Sequence, residues 1–393
     1  MPADWASRFS PYAQRAGGAE TRAFLRLVGQ PGLISFAGGV PDSNLFPSGL
    51  IAEAHARIFA DPKLSQTALQ YSVSEGWPPL REWIAQHMRG KGVACGIENI
   101  LITSGSQQAL YLSGRLLLGE DDTVLTERPT YLGLLHAFAG NNPKYGPLSV
   151  LESNERASAK LAYVMPDFAN PTGESYSLSE RERLLAAAAK HDIVLVEDAA
   201  YTDLRYEGAP LPSLLALDAE RAGIEQSRVL YCGTFSKTII PGLRGGWVVA
   251  ASAVIQKMGL LRQAIDFHNS PLSQMVLTDV AARLPQSHIA MLCETYGARC
   301  AAMLRALAEH MPEGVTWTKP EGGMFLWLTL PETIDSAELL KDSLAQGIAF
   351  VPGAAFYPGD AKRNTLRLNF TACEADTIHE GIARLAKLIA SKI

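Results

Sequence analysis

The sequence predicts an α/β protein with a mainly parallel sheet, followed by a smaller α+β domain. In the middle of the chain, short β-branched runs alternate with longer helical patterns, which is typical of βαβ units. After about Leu284 the pattern changes to long helices separated by short apolar runs. We therefore expect an N-terminal arm at residues 1–40, a large domain at 41–284 and a small domain at 285–393.

The large domain is predicted to contain six strands, at 99–103, 123–126, 161–165, 193–197, 229–232 and 246–250. Between the third and fourth strands, Ser177 and Glu180 have the spacing of a capping box, in which each side chain accepts a hydrogen bond from the other residue's backbone. We expect the helix that follows to be the crossover between two parallel strands.

The small domain is predicted to contain a long helix at 287–311, a hairpin-like apolar stretch at 323–330, a helix at 336–346 and a strand at 365–370. A final helix places four apolar residues on one face: Ile378, Ile382, Leu385 and Leu388. The arm ends in residues 38–41, where two glycines and a proline oppose regular structure.

Composition excludes several classes of protein. With 47% hydrophobic and 19% charged residues, a chain of 393 residues is not disordered. A net charge of −5 lacks the basic footprint of a nucleic-acid or anionic-lipid partner, so we expect neither nucleic acid nor membrane binding. The first 18 residues lack the uninterrupted apolar core of a signal peptide, and no apolar run reaches membrane-spanning length, so we expect a cytoplasmic protein.

The five cysteines include no CxxC pair, and the eight histidines include no HExxH or similar ligand spacing. We therefore expect neither a disulfide framework nor a bound metal.

Polar motifs follow four of the predicted strands, at 104–107, 170–173, 198–201 and 233–237. In a doubly wound sheet, ligands bind beside these carboxyl ends. Residues 104–107 begin a helix and suit either a phosphate or a simple helix cap. The last motif is not a P-loop, since Ser236 stands where that motif needs glycine.

Each of the remaining polar residues has a structural and a functional interpretation. Lys237 is either a solvated loop charge or an amine that forms a Schiff base, with Arg244 as a neighbouring cation. Asp198 is either a helix cap or a counter-ion for a cation in the crevice, and Asn170 before a proline often begins a turn. Strand alternation places Arg367 opposite its apolar neighbours, which permits a position in a cleft. The four motifs, in this order and each at a strand end, together favour a functional site over four unrelated structural roles.

The sequence resembles the pyridoxal-phosphate-dependent aminotransferases of class I/II, which have the three-layer fold type I. The resemblance runs from about Ser35 to the C-terminus. It rests on five motifs: Tyr131 in RPTY, Asn170 in NPTG, Asp198 and Tyr201 in DAAY, Lys237 and Arg244 in SKTIIPGLR, and Arg367 in LRLNF. The segments SFAGGVP at 35–41, LQY at 69–71 and SGSQQ at 104–108 resemble the subgroup of 2-aminoadipate and kynurenine aminotransferases.

The resemblance implies a role for each matching residue. Lys237 would hold pyridoxal 5'-phosphate as a Schiff base and then move a proton at the substrate Cα, while Asp198 would keep the pyridine nitrogen protonated. Arg367, with Asn170 and the backbone at Gly39, would bind the substrate α-carboxylate. The resemblance further implies that Tyr201 and Asn170 would hydrogen-bond the ring oxygen of the cofactor and that Tyr131 would stack on the ring face. The residues implied at the phosphate are Ser106, Gln107, Thr234, Ser236 and Arg244. Tyr71 would reach the phosphate of a neighbouring subunit, which implies a homodimer.

The resemblance also implies transfer of an amino group from an L-amino acid to a 2-oxo acid, with glutamate and 2-oxoglutarate as one couple. Arg22 stands where 2-aminoadipate-like relatives place an arginine for a side-chain carboxylate, so acidic substrates are expected, with aromatic or branched amino acids as further candidates. A lyase or decarboxylase on the same fold is the alternative. A ligand-sensing regulator is a weaker one, because about forty residues before the family core are too few for a DNA-binding domain.

Overall fold

The structure is a computed structural model that describes residues 4–17, 30, 32–154 and 157–393. The strands are β1 (Ile34–Ser35), β2 (Ile100–Thr103), β3 (Thr123–Thr126), β4 (Lys144–Pro147), β5 (Leu161–Val164), β6 (Val194–Asp198), β7 (Val229–Thr234), β8 (Gly246–Val249), β9 (Thr316–Trp317), β10 (Phe325–Thr329), β11 (Ile348–Ala349), β12 (Val351–Pro352) and β13 (Thr365–Asn369).

The α-helices within the described residues are α1 (Pro11–Arg15), α2 (Ser48–Ala60), α3 (Pro62–Ala68), α4 (Pro78–Gly90), α5 (Ser106–Leu117), α6 (Leu132–Phe138), α7 (Leu178–His191), α8 (Leu214–Ala222), α9 (Ser252–Gln263), α10 (Pro271–Arg283), α11 (Gln286–His310), α12 (Ser336–Ala345) and α13 (Ala375–Ala390). Within these residues, no helix combines the length and the apolar character needed to cross a bilayer.

The central sheet has the strand order β2-β8-β7-β6-β5-β3-β4. The pairs β3–β4, β3–β5, β5–β6 and β6–β7 are parallel, and β8 is antiparallel to both of its neighbours. The predicted mainly parallel α/β sheet is therefore confirmed. The edge strand β4 was not among the predicted strands.

Alternate residues of the central strands belong to two separate cores, which makes the domain three-layered. In β2, Leu101 packs into one core, whereas Ile100 and Ile102 pack into the other. Helices α5, α6 and α9 cover the first face, and α4, α7, α8 and α10 cover the second. The crossover helix α7 has the predicted capping box: Ser177 N donates to Glu180 Oε2 at 2.7 Å, and Glu180 N donates to Ser177 Oγ at 3.3 Å.

The C-terminal part of the chain forms a four-stranded antiparallel sheet in the order β12-β13-β10-β9. The hairpin predicted at 323–330 is wrong, because this stretch is the single strand β10, which pairs with β13 on one side and β9 on the other. Strand β1 pairs in parallel with β11, so residues 34–35 join the C-terminal part, whereas Tyr12 and Arg15 of α1 contact Tyr111 and the Gly140 carbonyl beside the central sheet. The division into three domains stays a prediction.

Candidate active site

A cavity of about 590 Å³ lies beyond the carboxyl ends of the central strands, where all four polar motifs meet. Twelve of the residues that the sequence analysis proposed line it: Gly39, Ser106, Gln107, Tyr131, Asn170, Asp198, Tyr201, Thr234, Ser236, Lys237, Arg244 and Arg367. Parallel strands bring their carboxyl ends to one sheet edge, which is why motifs far apart in the chain converge here.

Lys237 enters the cavity from the loop that follows β7. Its Nζ donates a 2.8 Å hydrogen bond to the carbonyl oxygen of Gly39 and lies 5.7 Å from the centre of the Tyr201 ring. Burial, followed by repulsion from Arg367, lowers the pKa of Lys237 to about 8. About a tenth of this amine is therefore unprotonated at pH 7, far more than for an ordinary lysine, and the unprotonated form is what a nucleophile or proton acceptor requires.

Asp198 is the last residue of β6 and is buried at the floor of the cavity. Its Oδ2 accepts a 2.9 Å hydrogen bond from the hydroxyl of Tyr163, whereas its Oδ1 has no hydrogen-bond partner among the described residues. Burial raises the pKa of Asp198 to about 6, while the hydrogen bonds from Tyr163 and the backbone of Ala200 act in the opposite direction. The site thus holds a buried carboxylate with one oxygen available for a cationic group.

Arg367 reaches the cavity from β13, in the middle of the four-stranded sheet. Its Nη1 donates to Asn170 Oδ1 at 2.8 Å, and its Nη2 donates to the carbonyl oxygen of Ala37 at 2.9 Å. The guanidinium carbon lies 4.2 Å from the ring centre of Phe325 and 5.1 Å from that of Phe356. Burial lowers the pKa of Arg367 to about 10, so the group stays cationic at neutral pH. It is a fixed, buried cation beside Lys237.

Hydroxyls, a helix start and a cation form the opposite end of the cavity. Thr234 Oγ1 lies 2.9 Å from Ser236 Oγ, and Arg244 donates from Nη2 to the Ser104 carbonyl at 3.0 Å. Helix α5 begins at Ser106, after Gly105 at φ +81°. A Cβ on Gly105 would stand 2.7 Å from Arg244 Nη2, so glycine permits this close approach. First-turn N–H groups, hydroxyls and a guanidinium are the donors that phosphate prefers.

The two tyrosines of the cavity are neutral at physiological pH. Burial raises the pKa of Tyr131 to about 12 and that of Tyr201 above its usual range, so both phenols retain their protons. Tyr201 has a hydrogen-bond interaction with Asn170. Gln107 donates from Nε2 to the Gly133 carbonyl at 2.7 Å, which ties the start of α5 to α6.

Tyr71 does not line the cavity of this chain: its side chain is 83% exposed and contacts the His268 ring edge-on at 5.8 Å between centroids. Arg22 lies outside the described residues.

Sequence reasoning missed several residues that line the cavity, including Leu132, His136, Met165, Ala200 and Phe356. Leu132 and His136 lie on α6, directly after Tyr131, so the position of the RPTY motif at a helix start was a usable signal. Phe356 follows β12, and no local pattern connects it with Arg367.

These side chains fit pyridoxal phosphate. The unpartnered Oδ1 of Asp198 suits a protonated pyridine nitrogen, Lys237 suits an aldehyde carbon, and the donors around Gly105 suit a phosphate.

Comparisons with known proteins agree with this fit. Residues 32–385 match the profile of the family described as aminotransferase class I and II. An aromatic-amino-acid aminotransferase of Thermococcus litoralis is 39% identical, over 98% of this chain and 95% of the relative. The kynurenine aminotransferase of Pyrococcus horikoshii, solved with PMP, has a TM-score of 0.91 and 39% identity over 100% of this chain and 99% of that one.

A solved α-aminoadipate aminotransferase from Thermus thermophilus, complexed with N-(5'-phosphopyridoxyl)-L-leucine, has a TM-score of 0.91 and 35% identity over 99% of both chains. The sheet topology, the converging site and these similarities agree. The chain therefore belongs to the aminotransferase class I and II family, with the type I fold, and is a pyridoxal-phosphate-dependent transaminase.

Proposed function

We propose that this transaminase uses glutamate and 2-oxoglutarate as one couple and accepts 2-aminoadipate together with aromatic or branched amino acids as other donors. The observation that carries this proposal is Arg367, a buried cation beside Lys237 whose Nε has no hydrogen-bond partner among the described residues. Every amino acid and 2-oxo acid presents an α-carboxylate, and a planar guanidinium binds a carboxylate with two parallel hydrogen bonds.

Lys237 is the proposed base. Bound pyridoxal phosphate supplies an electron sink for the electron pair that remains when the substrate Cα loses a proton. Nζ of Lys237 would take that proton from the substrate Cα and later donate it again, and its pKa of about 8 suits both roles near neutral pH.

The proposed cofactor contacts divide between the two ends of the cavity. Asp198 would accept the pyridinium N–H, Asn170 and Tyr201 would donate to the ring oxygen, and Tyr131 would pack against the ring. The phosphate takes donors from Ser106, Gln107, Thr234, Ser236 and Arg244.

Side-chain specificity is proposed to have two sources. Leu132, His136 and Phe356 give the cavity an apolar and aromatic wall that suits large side chains. Arg22 is the proposed partner of an acidic side chain, and Gly39 contributes its backbone beside the α-carboxylate. Relatives named for aromatic amino acids, 2-aminoadipate and kynurenine support a broad range of donors.

The test is the visible absorption of the purified protein loaded with pyridoxal phosphate. Glutamate, 2-aminoadipate and a panel of aromatic and branched amino acids are added singly, followed by 2-oxoglutarate. We expect loss of the visible band with the accepted donors and its return with the oxo acid. In Lys237→Ala, an amino donor followed by 2-oxoglutarate should not produce this loss and return of the visible band. Release of ammonia or carbon dioxide without an aminated cofactor would indicate a lyase or decarboxylase instead.

Arg22 needs its own comparison. Arg22→Ala should raise KM for glutamate and 2-aminoadipate while leaving the aromatic donors unchanged, and Arg26→Ala serves as the matched control four residues away. Equal kinetics of the Arg22 variant and the unmodified enzyme on acidic donors would remove the proposed role.

We further propose a homodimer in which Tyr71 completes the neighbouring subunit's phosphate site. Leu69, Tyr71 and Val73 are exposed, and so are Leu260, Ile265 and Phe267 at the end of α9. Exposed apolar residues around the Tyr71–His268 contact are typical of a surface that another protein chain covers.

A cytoplasmic location remains a prediction.

Complementation tests the dimer. Tyr71→Ala and Lys237→Ala proteins are purified separately, unfolded together and refolded. If Tyr71 acts across the interface, each hybrid dimer contains one site with both residues, and activity rises above that of either parent. If it acts within its own chain, the mixture stays at the level of the parents. Sedimentation equilibrium measures the oligomeric state independently.

A further inference from the structure

Three ligand-type side chains meet where α11 ends against α13, outside the active site. Glu309 and His310 are the last two residues of α11, and His379 lies in the first part of α13. The two Nε2 atoms are 3.1 Å apart, His379 Nε2 is 3.3 Å from Glu309 Oε2, and His310 Nε2 is 3.7 Å from Glu309 Oε1. None of the three lines the active-site cavity.

These separations match those of ligands around one small cation. Zinc binds imidazole nitrogen and carboxylate oxygen at about 2.0–2.2 Å in a tetrahedron, which places two ligand atoms about 3.3–3.6 Å apart. The observed distances of 3.1, 3.3 and 3.7 Å lie close to that range. The last two distances involve different oxygens of Glu309, so a rotation of this exposed carboxylate, without movement of the helices, is what brings one oxygen next to both imidazoles. We propose that Glu309, His310 and His379 form a binding site for zinc or a similar divalent transition metal, with water as the remaining ligand.

The chemistry of the donors selects the class of cation. Two imidazoles and one carboxylate suit Zn²⁺, Ni²⁺, Cu²⁺ and Co²⁺, whereas Mg²⁺ and Ca²⁺ prefer oxygen ligands throughout. His379 is half exposed, so solvent reaches the cluster and supplies the fourth ligand. The carbonyl end of α11 also carries partial negative charge, which favours a cation beside His310.

The cation would join two helices that share one core. Leu307 of α11 and Ile382 of α13 are both fully buried in the same hydrophobic cluster. Because the ligands come from both helices, the complete set exists only in the folded chain. Metal binding therefore stabilises the folded state by mass action, while the chemistry at Lys237 proceeds without it.

Equilibrium dialysis of the pyridoxal-phosphate-loaded enzyme against zinc chloride tests the site. Three proteins are compared: the unmodified enzyme, His379→Gln and the control His55→Gln. His55 lies on α2, where its Nδ1 is 2.8 Å from the Ile51 carbonyl. We expect one zinc per chain in the unmodified enzyme and in His55→Gln, and binding at least about tenfold weaker in His379→Gln. Zinc should raise the melting temperature of the first two proteins more than that of the third.

Cobalt gives a second readout that does not depend on affinity alone. Co²⁺ in a tetrahedral site with nitrogen and oxygen ligands has d–d absorption bands in the visible region. These bands should appear when the unmodified enzyme or His55→Gln binds Co²⁺, and they should be absent in His379→Gln. The same transaminase activity in all three proteins shows that the variants are folded. The proposal is overturned if zinc up to about 100 µM does not bind, or if it binds equally to His379→Gln and the unmodified enzyme.

Discussion

Tyr163 in β5 donates a 2.9 Å hydrogen bond to Oδ2 of Asp198, at the end of the neighbouring strand β6. The tyrosine is fully buried, and it occupies one oxygen of the carboxylate while the other has no partner among the described residues. Burial and the hydrogen bond act on the pKa of Asp198 in opposite directions, with burial the larger effect. Tyr163 thus keeps the carboxylate ionised at a lower pH than burial alone would allow.

We predict that Tyr163→Phe raises the pKa of Asp198 from about 6 by about one unit, since a hydrogen bond to a charged group contributes about 1.5 kcal/mol or more. Affinity of the cofactor-free enzyme for pyridoxal phosphate should fall as the pH drops through this pKa, because a protonated carboxyl does not attract a pyridinium. In the variant the fall should occur at higher pH. Fluorescence titrations between about pH 5 and 8 measure the midpoint.

Tyr145→Phe is the matched control for this titration, because the Tyr145 hydroxyl is buried without a partner among the described residues. Its midpoint should equal that of the unmodified enzyme. A Tyr163→Phe midpoint that also stays in place would show that the hydrogen bond does not tune Asp198.

Arg367→Lys should lower kcat/KM for every amino donor by about 10-fold to 150-fold, the loss of one charge-assisted hydrogen bond. Lysine keeps the charge but cannot form two parallel hydrogen bonds, and each charge-assisted bond contributes about 1.5–3 kcal/mol. Steady-state kinetics with glutamate and one aromatic donor measure the loss. Arg363→Lys, on an exposed arginine four residues earlier, should be neutral. A loss confined to one donor would contradict a role at the α-carboxylate.

Gly105→Ala should weaken pyridoxal-phosphate binding by about tenfold or more. The backbone at φ +81° and ψ 169° lies in a region essentially restricted to glycine and costs alanine about 1–3 kcal/mol, and the new Cβ would stand 2.7 Å from Arg244 Nη2 and displace that side chain. Cofactor titration of the apoenzyme gives the dissociation constant. At Gly242 a Cβ would meet no described atom within 4 Å, so Gly242→Ala should bind normally. Normal binding by Gly105→Ala would mean that this close approach is not required.

Arg181→Ala should lower the free energy of unfolding by about 3–5 kcal/mol, because it leaves the carboxylate of Asp167 buried without its main partner. Arg181 is fully buried and donates to Asp167 Oδ1 at 2.6 Å, and also to the Pro166 and Pro212 carbonyls. Urea denaturation measures the change. Arg183→Ala removes an exposed arginine from the same helix and should change the free energy by less than about 0.5 kcal/mol. Similar losses in both variants would refute the assigned cause.

Local sequence patterns were sufficient to predict most strands of the central sheet. The strands predicted at 99–103, 161–165 and 193–197 differ from β2, β5 and β6 by a single residue at one or both ends. Strand β4 was missed because Lys-Tyr-Gly-Pro contains no β-branched residue and ends in proline, as an edge strand tolerates. The stretch 323–330 was misread because an apolar run does not reveal how many strands it forms or which strands they pair with.

The parallel sheet and the motifs at its strand ends could be predicted from the amino-acid order, because hydrophobic period and turn residues are local properties and parallel strands share one edge. Which residues from separate elements meet depends on the folded arrangement. Arg367 contacts Asn170, 197 positions earlier, and His310 contacts His379, 69 positions later. Such contacts depend on how sheets and helices pack against each other, and no spacing along the chain encodes them.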